Sequence, residues 1–100
     1  MALTRAAGLN EVKLGMSKAV TVNGRRIALF NVDGKIFATD NACLHQGGPL
    51  GDGELMDNVI TCPLHGWQYD VCSGTCFNMP SKKLETFKVE VRDGDIFVDI

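Results

Sequence analysis

A chain of 100 residues, of which 45% are hydrophobic and 22% charged, has the composition of one small globular domain and not of a disordered or low-complexity protein. Its formal net charge is -2, from 12 acidic and 10 basic residues, which argues against nucleic acid or anionic lipid as a partner. The longest unbroken apolar stretch, residues 27–30, is far shorter than the roughly 20 residues of a membrane-spanning helix, and the first residues lack the apolar region of a secretory signal. We therefore expect no membrane association and a cytoplasmic location.

The first part of the chain predicts antiparallel strands joined by tight turns. Residues 19–22 and 26–32 flank Asn23-Gly24, and Asp33-Gly34 separates the second of these stretches from residues 35–39. Asn-Gly and Asp-Gly favour two-residue hairpin turns, because both central residues of such a turn adopt positive φ. The sequence therefore predicts three consecutive strands.

A third turn of the same kind, Asp93-Gly94, lies near the end of the chain. It separates residues 86–91 from residues 96–100. Apolar and charged residues alternate strictly from Phe87 to Arg92, as expected of a strand with one face in water. We predict a second hairpin here.

Residues 41–80 have a different texture. Residues 47–53 are rich in glycine and predict a loop, residues 59–61 and 68–71 predict short strands, and Ser73-Gly74 predicts a turn. Both histidines and all four cysteines of the chain lie in this segment. We therefore predict one all-β domain, in which residues of about 1–40 and 81–100 form a scaffold and residues of about 41–80 form a loop-rich insert that carries the chemistry.

The insert contains two copies of a cysteine followed closely by a histidine, Cys43-Leu44-His45 and Cys62-Pro63-Leu64-His65. Isolated histidines and cysteines of a small domain are usually surface or core residues without a ligand role. Two matched pairs in loops rich in Gly or Pro instead indicate a metal site. A zinc ion with two thiolates and two imidazoles is one candidate, although zinc fingers tend to group cysteines together and histidines together. A binuclear iron–sulfur cluster is the other candidate, since one iron can take both cysteines and the other both histidines.

On these residues the chain resembles the Rieske family, whose two boxes stand here as Cys43-Leu44-His45-Gln46-Gly47 and Cys62-Pro63-Leu64-His65-Gly66-Trp67. The resemblance covers essentially the whole chain. It implies a Rieske-type antiparallel β-sandwich and one [2Fe-2S] cluster. It also implies that Cys43 and Cys62 bind the buried iron, and that His45 and His65 bind the outer iron near the surface.

The resemblance further implies which residues surround the ligands. It places a tyrosine hydroxyl, here that of Tyr69, on a ligand sulfur, and a proline-containing loop, here residues 78–80, over the cluster. The uncharged residues Leu44, Gln46, Leu64 and Pro80 then form a small docking surface. The complete set of residues expected around the ligands is Gln46, Gly47, Leu64, Gly66, Trp67, Tyr69 and Pro80.

Two departures separate the chain from the respiratory members of the family. Those proteins join their boxes by a disulfide, whereas Gly48 and Leu64 stand at the corresponding positions here. They also carry a serine where this chain has Trp67. The chain is thus more similar to the small Rieske ferredoxins that supply electrons to oxygenases.

The resemblance implies a one-electron carrier that accepts electrons from a flavin-dependent reductase and passes them to a terminal oxygenase. No catalytic residues are expected, because all four protein ligands are used on the two irons and the sequence shows no nucleophile or acid–base arrangement. Two alternatives are a Rieske small subunit of a larger oxidoreductase, such as a nitrite reductase, and a zinc-stabilised binding module.

Cys72 and Cys76 have no histidine partner. A disulfide across the three residues between them is conceivable, and a ligand role would require a second metal. In a reducing cytoplasm we expect two unpaired, inert thiols.

Overall fold

The computed structural model describes residues 2–100, and this part of the chain is almost entirely β-structure. All strand pairs are antiparallel, and they form one four-stranded sheet and two three-stranded sheets. None of the helical segments within residues 2–100 has the length and hydrophobicity needed to span a bilayer. The predicted all-β fold is confirmed. The strands are β1 (Leu3–Gly8), β2 (Ser17–Val22), β3 (Arg25–Val32), β4 (Lys35–Asp40), β5 (Glu54–Met56), β6 (Val59–Thr61), β7 (Gln68–Asp70), β8 (Thr86–Phe87), β9 (Val89–Arg92) and β10 (Asp95–Asp99).

Strand β3 lies at the centre of the molecule and is buried on both faces. Ile27 and Leu29 belong to a core shared with Ile96 and Val98 of β10, whereas Ala28 and Phe30 belong to a second core. That second core contains Cys43 and Cys62. Successive side chains of a strand point to opposite faces, so burial on both sides explains why the longest apolar stretch of the chain falls here. The sheet that contains β3 therefore separates the β1-β10-β9 sheet from the predicted metal-binding loops.

The three predicted hairpin turns are confirmed. Their first residues, Asn23, Asp33 and Asp93, have φ of 52°, 52° and 50°, and the glycine that follows each has φ between 78° and 91°. Positive φ at both central residues is the geometry of the two-residue hairpin turn that the Asn-Gly and Asp-Gly pairs favour. Short strands at residues 59–61 and 68–70 are also found where the sequence predicts them.

The prediction of one strand over residues 86–91 is wrong. The segment divides at Lys88: Thr86 and Phe87 pair with β4, whereas β9 pairs with β10 of another sheet. Val91 is 43% exposed although it continues the alternating pattern, because β9 is an edge strand. The strand is interrupted because its two parts pair with strands of different sheets. The alternation of apolar and charged residues does not indicate with which strand a segment pairs.

Strands β1 and β5 are additions to the predicted set. β1 pairs along β10, and β5 pairs with β6 around a turn in which Asp57 has φ of 55°. Residues 50–52, predicted as loop, form a 3₁₀ helix.

This 3₁₀ helix fixes the first histidine-bearing loop to the central sheet. The Asn41 side chain accepts a hydrogen bond from the Gly51 N–H at 2.8 Å, and the Ser17 hydroxyl donates to the Gly51 carbonyl at 3.0 Å. Gly51 lies so close to β2 that a Cβ at this position would be 2.6 Å from the Ala19 nitrogen. Only a residue without a side chain allows this contact, and it sets the distance between the loop and the sheet.

Candidate metal centre

The two cysteine–histidine loops have the same backbone hydrogen bonds. In the first loop, the Gly47 N–H donates to the Cys43 carbonyl at 2.7 Å and the Cys43 N–H donates to the Gly48 carbonyl at 2.9 Å. In the second loop, the Gly66 N–H donates to the Cys62 carbonyl at 3.0 Å, and the Cys62 N–H donates to the Trp67 carbonyl at 2.8 Å. Each loop therefore curls around its cysteine in the same way.

A glycine with positive φ closes each of these loops. Gly47 has φ of 72° and Gly66 has φ of 75°, in the left-handed region that other residues rarely adopt. Both glycines stand four residues after the cysteine of their loop. The equal spacing between cysteine and glycine in the two loops thus follows from the left-handed backbone conformation that closes each loop.

The loops place the four predicted ligands as two like pairs. Cys43 and Cys62 are buried, with 4% and 2% of their surface exposed. His45 and His65 are exposed, and the centroids of their rings lie 4.8 Å apart in an edge-to-face arrangement. Within residues 2–100, no group of three or more His, Cys, Asp or Glu side chains is arranged to hold a single metal ion. The thiols therefore lie on the core side and the imidazoles on the solvent side of the loops.

The environment of Cys43 favours its thiolate form. Burial raises the pKa of this thiol, but hydrogen bonds from the Tyr69 hydroxyl, the His45 and Gln46 backbone N–H groups and the Cys62 thiol outweigh burial and lower the pKa below its usual value. The thiolate is the form of cysteine that binds metals.

Tyr69 packs in the core and also contacts a cysteine sulfur. Its ring is fully buried in the core that contains both cysteines. Its hydroxyl lies 3.1 Å from the Cys43 sulfur and accepts a hydrogen bond from the Leu44 N–H at 2.9 Å. The predicted contact between this hydroxyl and a cysteine sulfur is present.

The two histidine rings have different neighbours. His45 is stacked on Trp67, with ring centroids 4.6 Å apart and an interplanar angle of 15°. The Nε2 atom of His65 lies 2.6 Å from Gln46 Oε1. The sequence places Trp67 and Gln46 near the ligands, but it does not indicate which ring each of them contacts, because both contacts join different loops.

Gly48 and Leu64 meet between the two loops. A Cβ at position 48 would lie 2.8 Å from the Cys62 sulfur and 3.0 Å from Leu64 Cδ1. These are the two positions at which the respiratory proteins carry their disulfide, and here a glycine and a leucine fill the space. Gly48 also borders a cysteine sulfur, a contact between distant segments that no local sequence pattern indicates.

Two hydrogen bonds to Gln68 hold the segment that precedes Pro80. Asn78 Oδ1 accepts a hydrogen bond from the Gln68 N–H at 2.8 Å, and the Phe77 N–H donates to the Gln68 carbonyl at 2.9 Å. Pro80 itself is exposed. The segment therefore runs beside β7, directly after the second loop, while a role of Pro80 as a cover for the cluster stays a prediction.

Cys72 and Cys76 are both free thiols, as predicted. Cys76 is buried and Cys72 is exposed. Burial, with a smaller contribution from the Asp70 carboxylate, raises the pKa of the Cys72 thiol, so the less reactive protonated form is favoured.

Charge is distributed unevenly along the chain. Residues 41–80 contain four carboxylates and no lysine or arginine, whereas all ten basic residues of the chain lie outside this segment. The carboxylates are those of Asp52, Glu54, Asp57 and Asp70. Asp52 and Glu54 line a cavity of about 820 Å³ that also borders Cys62 and Pro63 of the second loop. The part of the molecule that carries the candidate metal centre is therefore acidic.

Comparison with known proteins identifies the centre. The family model of the Rieske [2Fe-2S] domain matches residues 3–88. The chain belongs to the Rieske [2Fe-2S] domain family. Its cofactor is one [2Fe-2S] cluster, and this membership decides against the zinc-stabilised binding module.

Relatives of this Rieske domain are ferredoxin components of dioxygenase systems. The ferredoxin component of the naphthalene 1,2-dioxygenase/salicylate 5-hydroxylase systems of Ralstonia sp. is 40% identical over 88% of this chain and 86% of that protein. The ferredoxin of Sphingomonas yanoikuyae B1 is 32% identical, with a TM-score of 0.90 over 99% of both chains. A complex of reduced oxygenase and oxidized ferredoxin in carbazole 1,9a-dioxygenase contains a chain 30% identical to this one, with a TM-score of 0.87 over 96% of this chain and 91% of that chain.

The residues present in this Rieske domain fit the cluster. The loops offer two thiols and two imidazoles in like pairs, which is the ligand set of a Rieske centre. The hydrogen bonds around Cys43 favour the thiolate. The absence of a Cβ at Gly48 keeps the space beside the Cys62 sulfur open.

Proposed function

We propose that Cys43, His45, Cys62 and His65 bind the [2Fe-2S] cluster and that this Rieske domain is the ferredoxin of an oxygenase system. The observation that carries the proposal is the pair of exposed imidazoles lying above a pair of buried cysteines in two matched loops. A bound cluster of this type takes up and releases one electron at a time. Its potential is adjusted by hydrogen bonds to the sulfurs and by solvent exposure, both of which the surrounding residues control.

The residues around the ligands hold them in place and limit their contact with water. Tyr69 fixes the Cys43 sulfur from the core side, and Trp67 covers one face of the His45 ring. The exposed imidazole edges are the parts of the ligand set that a partner protein can reach. The arrangement therefore protects the sulfurs and leaves the histidine side open to a partner.

The surface beside the histidines suits a transient electron-transfer partner. Leu64 is 56% exposed, and Gln46, which contacts His65, is exposed and uncharged. Pro80 is also exposed and uncharged. Weak electron-transfer complexes bury small interfaces, and a few apolar residues at the centre are sufficient for them. Asp52 and Glu54, which line the cavity beside Cys62 and Pro63, favour a partner that carries lysine and arginine beside its own docking site.

We infer that the electron donor is a flavin-dependent reductase and the acceptor a terminal oxygenase, in a cytoplasmic setting that keeps all four cysteines reduced. The relatives named as ferredoxin components support an electron-transfer role and not an enzyme that acts on its own. Within the chain we propose one Rieske domain over residues 1–100, with a scaffold of about 1–40 and 81–100 and a cluster-binding insert of about 41–80. The β5-β6-β7 sheet, which lies wholly inside the insert, supports this division.

Metal analysis of paired cysteine variants tests the ligand set. The freshly purified protein should contain two irons and two acid-labile sulfides per chain, with visible absorption. Cys62→Ala should lose both, whereas Cys72→Ala should keep them, because Cys72 lies outside the two loops. One zinc without iron or sulfide, or an intact cluster in Cys62→Ala, would contradict the proposal.

Stopped-flow mixing with candidate oxygenases tests the docking surface. Leu64→Asp should slow electron transfer from the reduced protein to its oxygenase at least several-fold while the visible spectrum stays unchanged. Val91→Asp is the matched control, since Val91 is also exposed but lies on β9 of a sheet outside the insert. Equal electron-transfer rates for the two variants would show that the oxygenase does not dock on the histidine side.

A further inference from the structure

We propose that Gln46 is a positioning residue that fixes the orientation of His65 and strengthens this imidazole as a ligand. The inference rests on the ligand set proposed above. Its basis is the contact of 2.6 Å between Gln46 Oε1 and His65 Nε2, which joins two loops 19 residues apart in the sequence. Both side chains are exposed, and apart from the edge-to-face contact of His65 with His45 this hydrogen bond is the contact that orients the His65 ring.

The chemistry of the contact determines which ring nitrogen faces the metal. An amide oxygen can only accept a hydrogen bond, so this contact requires the tautomer of His65 in which Nε2 carries the proton and donates it. In a neutral imidazole the other nitrogen, Nδ1, then has the free electron pair that a metal requires. If the amide were reversed, its NH₂ group would donate to Nε2, the proton would lie on Nδ1, and the ring could not bind through that atom. The contact through Gln46 Oε1 therefore matches an imidazole that would bind the cluster through Nδ1.

The two imidazoles become inequivalent as a result. Gln46 and His65 each directly precede the positive-φ glycine of their loop, so the hydrogen bond joins equivalent positions of the two matched loops. His45 stands one position earlier in its own loop, and its ring is stacked on Trp67. Among the hydrogen bonds within residues 2–100, none involves the His45 ring. One ligand is thus oriented by a hydrogen bond and the other by stacking.

A hydrogen-bond acceptor on the outer N–H of a histidine ligand makes the ring a stronger electron donor to the metal. A stronger donor stabilises the oxidised state of the metal more than the reduced state. Removal of the acceptor should therefore raise the reduction potential and change the coupling of one of the two ligand nitrogens. A residue that only filled space would change neither quantity.

Gln46→Leu and Gln68→Leu, prepared with ¹⁵N-labelled histidine, test the inference. Gln68 is an exposed glutamine whose side chain donates to Thr61 and not to a histidine, which makes it the matched control. Voltammetry should show a higher potential for Gln46→Leu than for the wild type. Pulsed EPR of the reduced protein should show one altered nitrogen coupling and one unaltered coupling. Gln68→Leu should match the wild type in both measurements. Wild-type values in Gln46→Leu, or equal shifts in the two variants, would overturn the inference.

A second pair of variants decides the question if Gln46→Leu does not retain the cluster. Gln46→Glu keeps an acceptor and can no longer donate, so it should retain the cluster and lower the potential by more than Gln68→Glu, which adds the same charge without touching His65. A lost cluster, or a shift no larger than that of Gln68→Glu, would overturn the inference. If the proposed ligand set itself is wrong, the EPR spectrum of the wild-type protein would not show the couplings of two histidine nitrogens. This outcome is distinguishable from a failure of the Gln46 inference.

Discussion

The hydroxyl of Tyr69 lies 3.1 Å from the Cys43 sulfur and accepts a hydrogen bond from the Leu44 N–H. One buried group thus contacts both a cysteine and the backbone of the loop that carries it. Burial, reinforced by the Cys43 thiol, raises the pKa of Tyr69 far above its usual value, which favours the protonated hydroxyl, the form that can donate to a thiolate sulfur.

Tyr69→Phe should lower the reduction potential by tens of millivolts. A hydrogen bond to a ligand sulfur stabilises the extra negative charge of the reduced cluster, and the variant removes it while keeping the buried ring. The wild-type potential should lie below zero within the Rieske range of roughly -150 to +300 mV, because the serine and the disulfide of the respiratory proteins are missing. Protein-film voltammetry measures both values. An unchanged potential in the variant would show that Tyr69 contributes only core packing and that its hydroxyl does not affect the cluster.

The same variant should also be less stable. It leaves the Leu44 N–H without its acceptor, at a cost of about 1–3 kcal/mol if water does not replace the hydroxyl. Denaturant unfolding of the loaded protein measures this loss.

Gly48→Ala should disturb the metal centre although the backbone at this position needs no unusual φ. The added Cβ would lie 2.8 Å from the Cys62 sulfur, which belongs to a short, buried side chain and cannot move aside. We expect a lower iron and sulfide content per chain and a shifted visible spectrum. Gly8→Ala is the control, since its Cβ would approach the flexible side-chain ends of Asn10, Glu11 and Arg5. Full cluster content in Gly48→Ala would mean that the two loops can separate without losing the site.

Asp70 should contribute stability that disappears in acid. Burial raises the pKa of this carboxyl, but hydrogen bonds from the Cys72 N–H, the Asn58 amide and Ser73 outweigh burial and lower the pKa below its usual value. Because the pKa is lower in the folded than in the unfolded state, the contribution is complete above the unfolded value of about 3.9 and is lost as the pH falls through the folded value.

Thermal unfolding of Asp70→Asn as a function of pH measures this contribution. The wild type should unfold at a higher temperature than the variant near neutral pH, and the difference should shrink as the pH falls below about 4. Asp52→Asn, at an exposed position of the 3₁₀ helix, serves as the control. A difference that stays constant down to acidic pH would show that the carboxylate charge is irrelevant to folding.

Electron transfer to the oxygenase should slow as ionic strength rises. The 41–80 segment has four carboxylates and no basic residue, and attraction between exposed charges is screened beyond about 8 Å at physiological salt. Glu54→Gln should lower the second-order rate constant at low salt and flatten its salt dependence. Glu90→Gln removes the same charge from β9 and should have a smaller effect. A salt-independent rate constant would exclude steering by this acidic surface.

The sequence predicts those parts of the molecule that short-range patterns determine. The Asn-Gly and Asp-Gly pairs locate three hairpin turns because their geometry depends on two adjacent residues. The two loops are recognisable because each pairs a cysteine with a histidine two or three positions later in a stretch rich in Gly or Pro. Contacts between distant segments lie outside such patterns. The hydrogen bond from His65 to Gln46 and the division of the last strand at Lys88 both depend on which segments meet after folding.

The cluster-bearing segment leaves the central sheet and returns to it at adjacent points. β4 pairs with β8 through Thr39 and Thr86, and the Asp40 N–H donates to the Glu85 carbonyl at 2.9 Å. Because the two ends already meet, a longer segment between them adds little closure entropy, about 0.6 kcal/mol for each doubling of its length. Residues added at the turn between β5 and β6, where Met56 and Asp57 are exposed, should therefore leave the scaffold intact. The length of the segment can therefore vary, whereas position 51 must stay a glycine because of its close contact with Ala19.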